Sequence, residues 1–221
     1  MKAMILAAGR GERLRPLTDH TPKPLLKVGG KPLIAHQLEW LHAAGIDEVV
    51  INLHHLGDQI EAFCGDGSTF GVAIRYSREP VLLETAGGIV NALPLLGNGP
   101  FVLLNGDIFT NFPLAELPQR PPPWADLHVV LTPTPSYRAH GDFEWADGRV
   151  TGRGERFVYC GIAVVNPQWL AALPARPSSL QQPLFEAVAR GRVAGQIYHG
   201  RWIDIGTPDQ LQAINAQLTG L

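Results

Sequence analysis

In the first half of the chain, continuous apolar runs alternate with helix-spaced apolar positions. Residues 3–8 (AMILAA) form a short apolar run ending at Gly9, the pattern of a buried strand entering a loop. Residues 32–44 set Leu33, Gln37, Trp40 and Leu41 at roughly helical spacing among apolar neighbours, and Gly45 stops the helix. A second buried strand is expected at residues 48–53 (EVVINL), a short helix at 56–63 closed by the Gly65 and Gly67 turn, and a third strand at 72–76. A helix at 86–93 and a fourth strand at 101–105 (FVLLN) continue the alternation. Strand and helix in turn predict a parallel sheet with helices on both faces.

After Asp107 the pattern changes. Residues 118–123 (PQRPPP) read as an exposed loop, while 127–131 and 158–165 are strand-like. Residues 143–145 are expected to form one arm of a hairpin closed at Asp147-Gly148. Helices are expected at 184–189 and 208–218. There is neither an internal repeat nor a sharp break in composition. The pattern therefore predicts a single α/β domain over residues 1–221: a Rossmann-like, mixed and mostly parallel sheet with a small antiparallel insertion in its second half.

Composition narrows the options. Apolar residues make up 45% and charged residues 17%, which suits a packed core. A net charge of −2 gives no bulk attraction to nucleic acid or anionic lipid, so anion handling has to be local. The first apolar run is too short for a signal-peptide core, and no run approaches a membrane span, so a cytoplasmic protein without nucleic-acid or membrane partners is expected. Cys64 and Cys160 lack zinc-ligand or CxxC spacing and are expected to be reduced and buried, although a disulfide between them stays open.

Local positive charge and glycine concentrate in residues 4–34, MILAAGRGERLRPLTDHTPKPLLKVGGKPLI. Glycines after a strand turn backbone N–H groups outward, where they can cradle phosphate oxygens. The dinucleotide fingerprint fails because Leu14 stands where the third glycine belongs, and the Walker pattern fails because Pro32 follows Gly30-Lys31. Pro22 and Pro24 restrict the backbone around Lys23, as suits a positioned charge. Lys27 and Lys31 are expected in solvent. Asp107 follows a strand directly and so faces the crevice where open α/β sheets bind ligands. A carboxylate there would repel a triphosphate unless a cation such as Mg²⁺ intervenes. Asp204, in WIDIGTP, is the second candidate ligand for it. Each aspartate alone could instead serve a turn.

The ordered set Leu6-Ala7-Ala8-Gly9, Gly11, Arg13-Leu14, Pro16-Leu17-Thr18, Pro22-Lys23-Pro24-Leu25 and Lys31-Pro32-Leu33 resembles the signature of the sugar-1-phosphate nucleotidyltransferases, which make nucleotide-diphospho-sugars. The resemblance runs from Met4 to about Leu218 and implies the nucleotide-diphospho-sugar transferase fold. It implies that the backbone of Ala7, Ala8 and Gly9 lies along base and ribose, with Glu12 nearby. Gly11 and Arg13 would hold the β- and γ-phosphates and Lys23 the α-phosphate, and Asp107 and Asp204 would hold Mg²⁺. Arg13, Lys23 and Asp107 are then the expected catalytic residues.

Residues 76–90 (YSREPVLLETAGGIV) stand where the family carries its base-reading loop. Thr85 matches that pattern, Glu84 replaces the usual glycine, and Glu79 falls where many relatives place glutamine. A carboxylate can accept from uracil N3–H or from guanine N1–H, so the base stays open, and for Glu79 an exposed loop acid is an equal alternative. Asn105, Asp142 and Gly161 are the candidate sugar contacts, and Tyr159 departs from the family's Asn-x-Gly. For Asp142 a turn role is the stronger alternative. His54 and His55 are expected to be strand-end residues rather than metal ligands.

Compactness and the LLETAGG wording point to the family's short, uridylyl-transferring members, which serve peptidoglycan recycling. Guanylyl-transferring members are the near alternative, and an idle nucleotide-sugar sensor is a distant one. The expected reaction joins a nucleoside triphosphate, UTP foremost, to a sugar-1-phosphate and releases pyrophosphate. A monomer is expected, with residues 1–110 forming the nucleotide half and 111–221 the sugar half.

Overall fold

A computed structural model describes residues 1–171, 173 and 176–219. Its main sheet has nine strands: β1 (Lys2–Leu6), β4 (Glu48–Leu53), β5 (Ala73–Arg78), β6 (Phe101–Asn105), β8 (Leu127–Pro133), β9 (Phe143–Ala146), β10 (Arg149–Arg153), β11 (Phe157–Val165) and β12 (Val193–Ile197). Two ribbons complete the strands. One pairs β2 (Lys27–Val28) with β3 (Lys31–Pro32), the other β7 (Ile108–Thr110) with β13 (Trp202–Asp204).

The spatial order is β5-β4-β1-β6-β11-β8-β12-β10-β9. The pairs β5–β4, β4–β1 and β1–β6 are parallel. β11 is antiparallel to both β6 and β8, and β12 runs parallel to β8. The antiparallel strands thus continue the parallel sheet rather than forming a separate layer. The chain builds β4 and β5 on one side of β1, then crosses back to lay β6 on the other. The carboxyl ends of β1 and β6 therefore flank a switch point, where such sheets open a crevice.

Neighbouring residues of β1 face opposite layers, so the strand is apolar throughout. Ala3 and Ile5 pack with Ile34, Leu38 and Leu41 of α1 (Leu33–Ala43) and with Ile60 and Cys64 of α2 (Gly57–Cys64). Met4 packs on the other face with Ala86, Ile89 and Ala92 of α3 (Glu84–Leu96). Below the second half, the single turn α4 (Pro167–Leu170) and helix α5 (Gln181–Ala189) cover the same face as α3. Helix α6 (Pro208–Thr219) closes a small third cluster, in which Ile214 packs with Val28, Leu33 and Ile205. Asn215 of α6 accepts from Gly29 N at 2.8 Å and donates to Lys27 O at 3.1 Å, tying the chain end to the ribbon that follows Lys23.

Elements expected from the pattern are found within a few residues, and the Asp147-Gly148 turn closes the β9–β10 hairpin. Cys64 and Cys160 are free thiols buried in one core cluster, and burial pushes the Cys64 thiol up to about 12. Among the described residues no helix is long and apolar enough to cross a membrane.

Candidate active site

A cleft of about 600 Å³ opens at the switch point. Its walls include Ala7, Ala8, Gly9, Gly11, Glu12 and Arg13 from the loop after β1, with Lys23 beside them. Asn105, Gly106 and Asp107 follow β6, and Glu84 and Thr85 begin α3.

The loop after β1 is fastened from behind. Asn52, the fifth residue of β4, accepts from Ala7 N at 2.7 Å and donates to Glu79 Oε1 at 2.7 Å. The second Glu79 oxygen accepts from Leu83 N at 2.9 Å, and the residue is only 4% exposed. Thr18 donates to Gly11 O at 2.9 Å, and His55 Nε2 lies 2.9 Å from Thr18 O. Gly11 has φ +64, in the left-handed region that favours glycine. At Gly9 an added Cβ would meet nothing within 4 Å, so its space is open to the cleft.

The turn after β6 is built on close approach. Gly106 N donates to Leu6 O at 3.0 Å, and a Cβ on Gly106 would stand 2.3 Å from that oxygen. Only glycine lets this turn press against β1 and carry Asp107 to the cleft wall. From α1, the buried Gln37 donates to Asn105 O at 2.9 Å and to Ile108 O at 3.2 Å, holding the turn on both sides of Asp107. Lys23 Nζ donates to Asp107 Oδ2 at 2.7 Å, with side chains 15% and 29% exposed. A basic and an acidic candidate 84 residues apart in sequence therefore meet in one wall.

Asp204 lies on β13, whose register sets it opposite Ile108, and Ile205 N donates to Asp107 O at 2.8 Å. Asp107, in the turn just before β7, and Asp204, on the strand paired with β7, are thus held near one another, yet Asp204 does not line the cleft. Its carboxylate accepts from Arg138, from Tyr137 at 3.2 Å and from Gln210 at 3.4 Å. Burial opposes the Arg138 charge, but the Asp204 carboxylate outweighs it and holds the guanidinium pKa above its usual value. Burial, reinforced by Asp204, raises the Tyr137 phenol. Further along, a Cβ on Gly206 would lie 2.9 Å from Arg13 Nη2, so the late segment touches the first loop.

Three expectations need correction in their geometry. Glu79 does not face the cleft as a base-reading acid, because both its oxygens are engaged by Asn52 and Leu83. Asp142 also points elsewhere: its Oδ2 accepts from Tyr159 N at 3.0 Å and lies 3.9 Å from Arg138. Gly161, at φ +72 beside a bulge in β11, does not line the cleft but backs Asn105, since a Cβ there would fall 2.8 Å from the Asn105 side chain. Thr85 lines the wall, and its hydroxyl oxygen accepts from Leu180 N at 2.7 Å. His54 Nδ1 sits 2.9 Å from Glu79 O, so both histidines fasten strand ends. Lys27 is exposed, while Lys31, its side chain 42% exposed, pairs with Glu39. Among the described residues no group of three His, Cys, Asp or Glu side chains converges.

Asn52, Gln37 and Arg138 are the residues that motif reading missed. A polar residue closing an apolar strand, and another on the apolar face of a helix, were the available signals for the first two.

Comparison with known proteins shows the family. Residues 2–141 match the family described as Nucleotidyl transferase. The chain is 44% identical to the N-acetylmuramate alpha-1-phosphate uridylyltransferase of Neisseria meningitidis serogroup B, over 98% of this chain and 97% of that protein. It is 33% identical to mannose-1-phosphate guanylyltransferase 1 of Arabidopsis thaliana, over all of this chain and 66% of that one. In fold it is similar to a Bacillus anthracis protein crystallised in complex with a sucrose, at TM-score 0.85 and 24% identity, covering 100% of this chain and 96% of the other. With its glycine-rich loop, Lys23 and Asp107 gathered at the switch point of such a sheet, the chain belongs to the nucleotidyl transferase family.

Proposed function

We propose that the protein transfers uridylate from UTP to N-acetylmuramate 1-phosphate, releasing pyrophosphate. Residues 1–110 would supply the nucleotide half and residues 111–221 most of the acceptor half. The observation that carries the reading is the Lys23–Asp107 pair in the wall of the switch-point cleft, beside an outward-facing glycine loop. Similarity to the Neisseria uridylyltransferase over nearly the full chain supports the choice of substrates.

The triphosphate lies along residues 7–11, where Gly9 leaves open space and Gly11 turns the loop. Lys23 faces the α-phosphate, and Arg13, resting on Gly206, faces the departing pyrophosphate. An acceptor oxygen already anionic on its phosphate attacks the α-phosphorus, and the bond to pyrophosphate breaks. No general base is needed. Fixed cations and N–H donors aimed at the developing charge supply the rate, as for phosphoryl transfer generally. Asn105, backed by Gly161, orients the acceptor sugar.

Asp107 and Asp204 are the hard oxygen donors that would hold Mg²⁺, the Asp204 carboxylate giving up Arg138, Tyr137 and Gln210 to do so. Bound there, Mg²⁺ would neutralise charge on the α-phosphate.

Pyrophosphate release over the four common nucleoside triphosphates, crossed with the 1-phosphates of N-acetylmuramate, N-acetylglucosamine and mannose, tests the reading. Preference for UTP with N-acetylmuramate 1-phosphate is expected. Preference for GTP with mannose 1-phosphate would keep the reaction and replace the substrates. No release with any pair would leave a binding protein.

A further inference from the structure

The cleft is chemically polar from side to side. On the β6 side of β1 stand Lys23 with Asp107, and Arg13 against Gly206. On the β4 side stand Asn52, Leu82, Glu84, Thr85 and Ser179. Phosphates belong with the cations, so the base of a bound nucleotide lies toward β4 and the start of α3.

Two acids belong to that side, and they differ. Glu79 is buried, with both oxygens bonded inside the protein. Glu84 is exposed, lines the cleft, and its carboxylate makes no hydrogen bond or ion pair among the described residues. Its backbone sits at φ +58, one of three non-glycine residues with positive φ in the described chain. Glycine at this position would avoid that steric cost. The left-handed backbone is thus kept at a residue whose carboxylate stands at the open cleft, free to meet a ligand.

We propose that Glu84 selects the base, its carboxylate accepting a hydrogen bond from a ring N–H of the kind uracil carries at N3 and cytosine and adenine lack. The proposal rests on the nucleotide reading of the cleft given above. It replaces Glu79, whose carboxylate is committed to holding Asn52, with a residue five positions later.

The test measures KM and kcat for UTP and for 3-methyluridine triphosphate, together with Tm, in the wild type and in Glu84→Gly, Glu84→Gln and Glu84→Leu. The wild type is expected to favour UTP over the N3-methylated nucleotide by ~10-fold or more in KM, the scale of one charge-assisted hydrogen bond. Glu84→Gly should raise Tm by removing the left-handed strain, yet raise KM for UTP and lose the discrimination with kcat little changed. Glu84→Gln, which keeps an acceptor oxygen, should retain part of the discrimination, and Glu84→Leu should retain none. A residue with a purely structural role would not gain stability while losing base preference. Equal use of both nucleotides by the wild type, or unchanged discrimination in Glu84→Gly, overturns the proposal. Turnover of another nucleoside triphosphate but not of UTP overturns this assignment and keeps the reaction, whereas turnover of none overturns the nucleotide reading itself.

Discussion

The cleft and the region beyond it, around β9, β10 and β11, are held by different forces. Toward β4, β1 and β6 the site residues are placed by buried, mostly neutral hydrogen bonds: Asn52 to Ala7, Gln37 to the carbonyls around Asp107, Gly106 against Leu6. Toward β9, β10 and β11 the contacts join charged or chargeable side chains, part-buried at Arg138–Asp204 and open to water at His140–Glu155 and Arg156–Glu144. Arg138 joins Asp204 and Asp142, His140 meets Glu155 at 3.1 Å, and Arg156 meets Glu144 at 3.7 Å. Buried networks resist salt and fix geometry, whereas exposed pairs are screened and exchange partners at little cost. Under the proposed function, the contrast gives preorganisation to the nucleotide side and adjustability to the acceptor side.

The largest effect is expected where chemistry and geometry coincide. Lys23→Ala and Asp107→Asn should each lower kcat by ~10²-fold or more with the fold retained, as when an electrostatic stabiliser is lost. Turnover assays with circular dichroism melts check this, and near-wild-type rates would remove the pair from catalysis. Next comes the buried brace. Asn52→Ala strands the Glu79 carboxylate and frees Ala7 N, which should cost ~1–3 kcal/mol of stability and raise KM for the nucleotide together. Gly9→Val should separate these effects, because its side chain enters open space: Tm should hold while KM for the nucleotide rises several-fold.

Beyond the cleft, Arg156→Met should cost under about 1 kcal/mol, and raising the salt concentration should shrink the loss, as urea melts at two ionic strengths would show. A salt-insensitive loss would erase the contrast between the two regions. The smallest effect concerns pH. Burial lowers the His128 pKa despite its bond to Gln196 at 2.8 Å. The folded state then prefers neutral histidine, so its contribution is present above the unfolded value of about 6.5 and is lost as pH falls toward the depressed folded value. His128→Gln should flatten stability across that acid window.

Legibility in the sequence follows the same division. Glu48–Leu53 and Phe101–Asn105 lie at their expected bounds because strands covered on both faces are unbroken apolar runs. β12 was invisible: VAGQI is interrupted by Gly195, whose carbonyl accepts from Trp145. The β7–β13 ribbon joins residues some ninety positions apart, which no local period reveals. Helix α3 begins at Glu84, before the expected Ala86, although Glu84 has a left-handed backbone, and it runs past Leu93 through Pro94. At the site, the glycine loop, Lys23 and Asp107 were readable because their chemistry restricts both residue type and order. Glu79 is not legible as a buried brace, because sequence places a side chain without saying which way it turns. Asn52 and Gln37 were hidden inside apolar periodicity, where a buried polar residue has no motif.

The most direct measurement is a crystal structure of the protein with Mg²⁺ and a UTP analogue whose α,β bridge cannot be cleaved. The account predicts the α-phosphate within hydrogen-bond distance of Lys23 Nζ, with the base toward the start of α3. A nucleotide bound with its α-phosphate remote from Lys23 and Asp107 would contradict it.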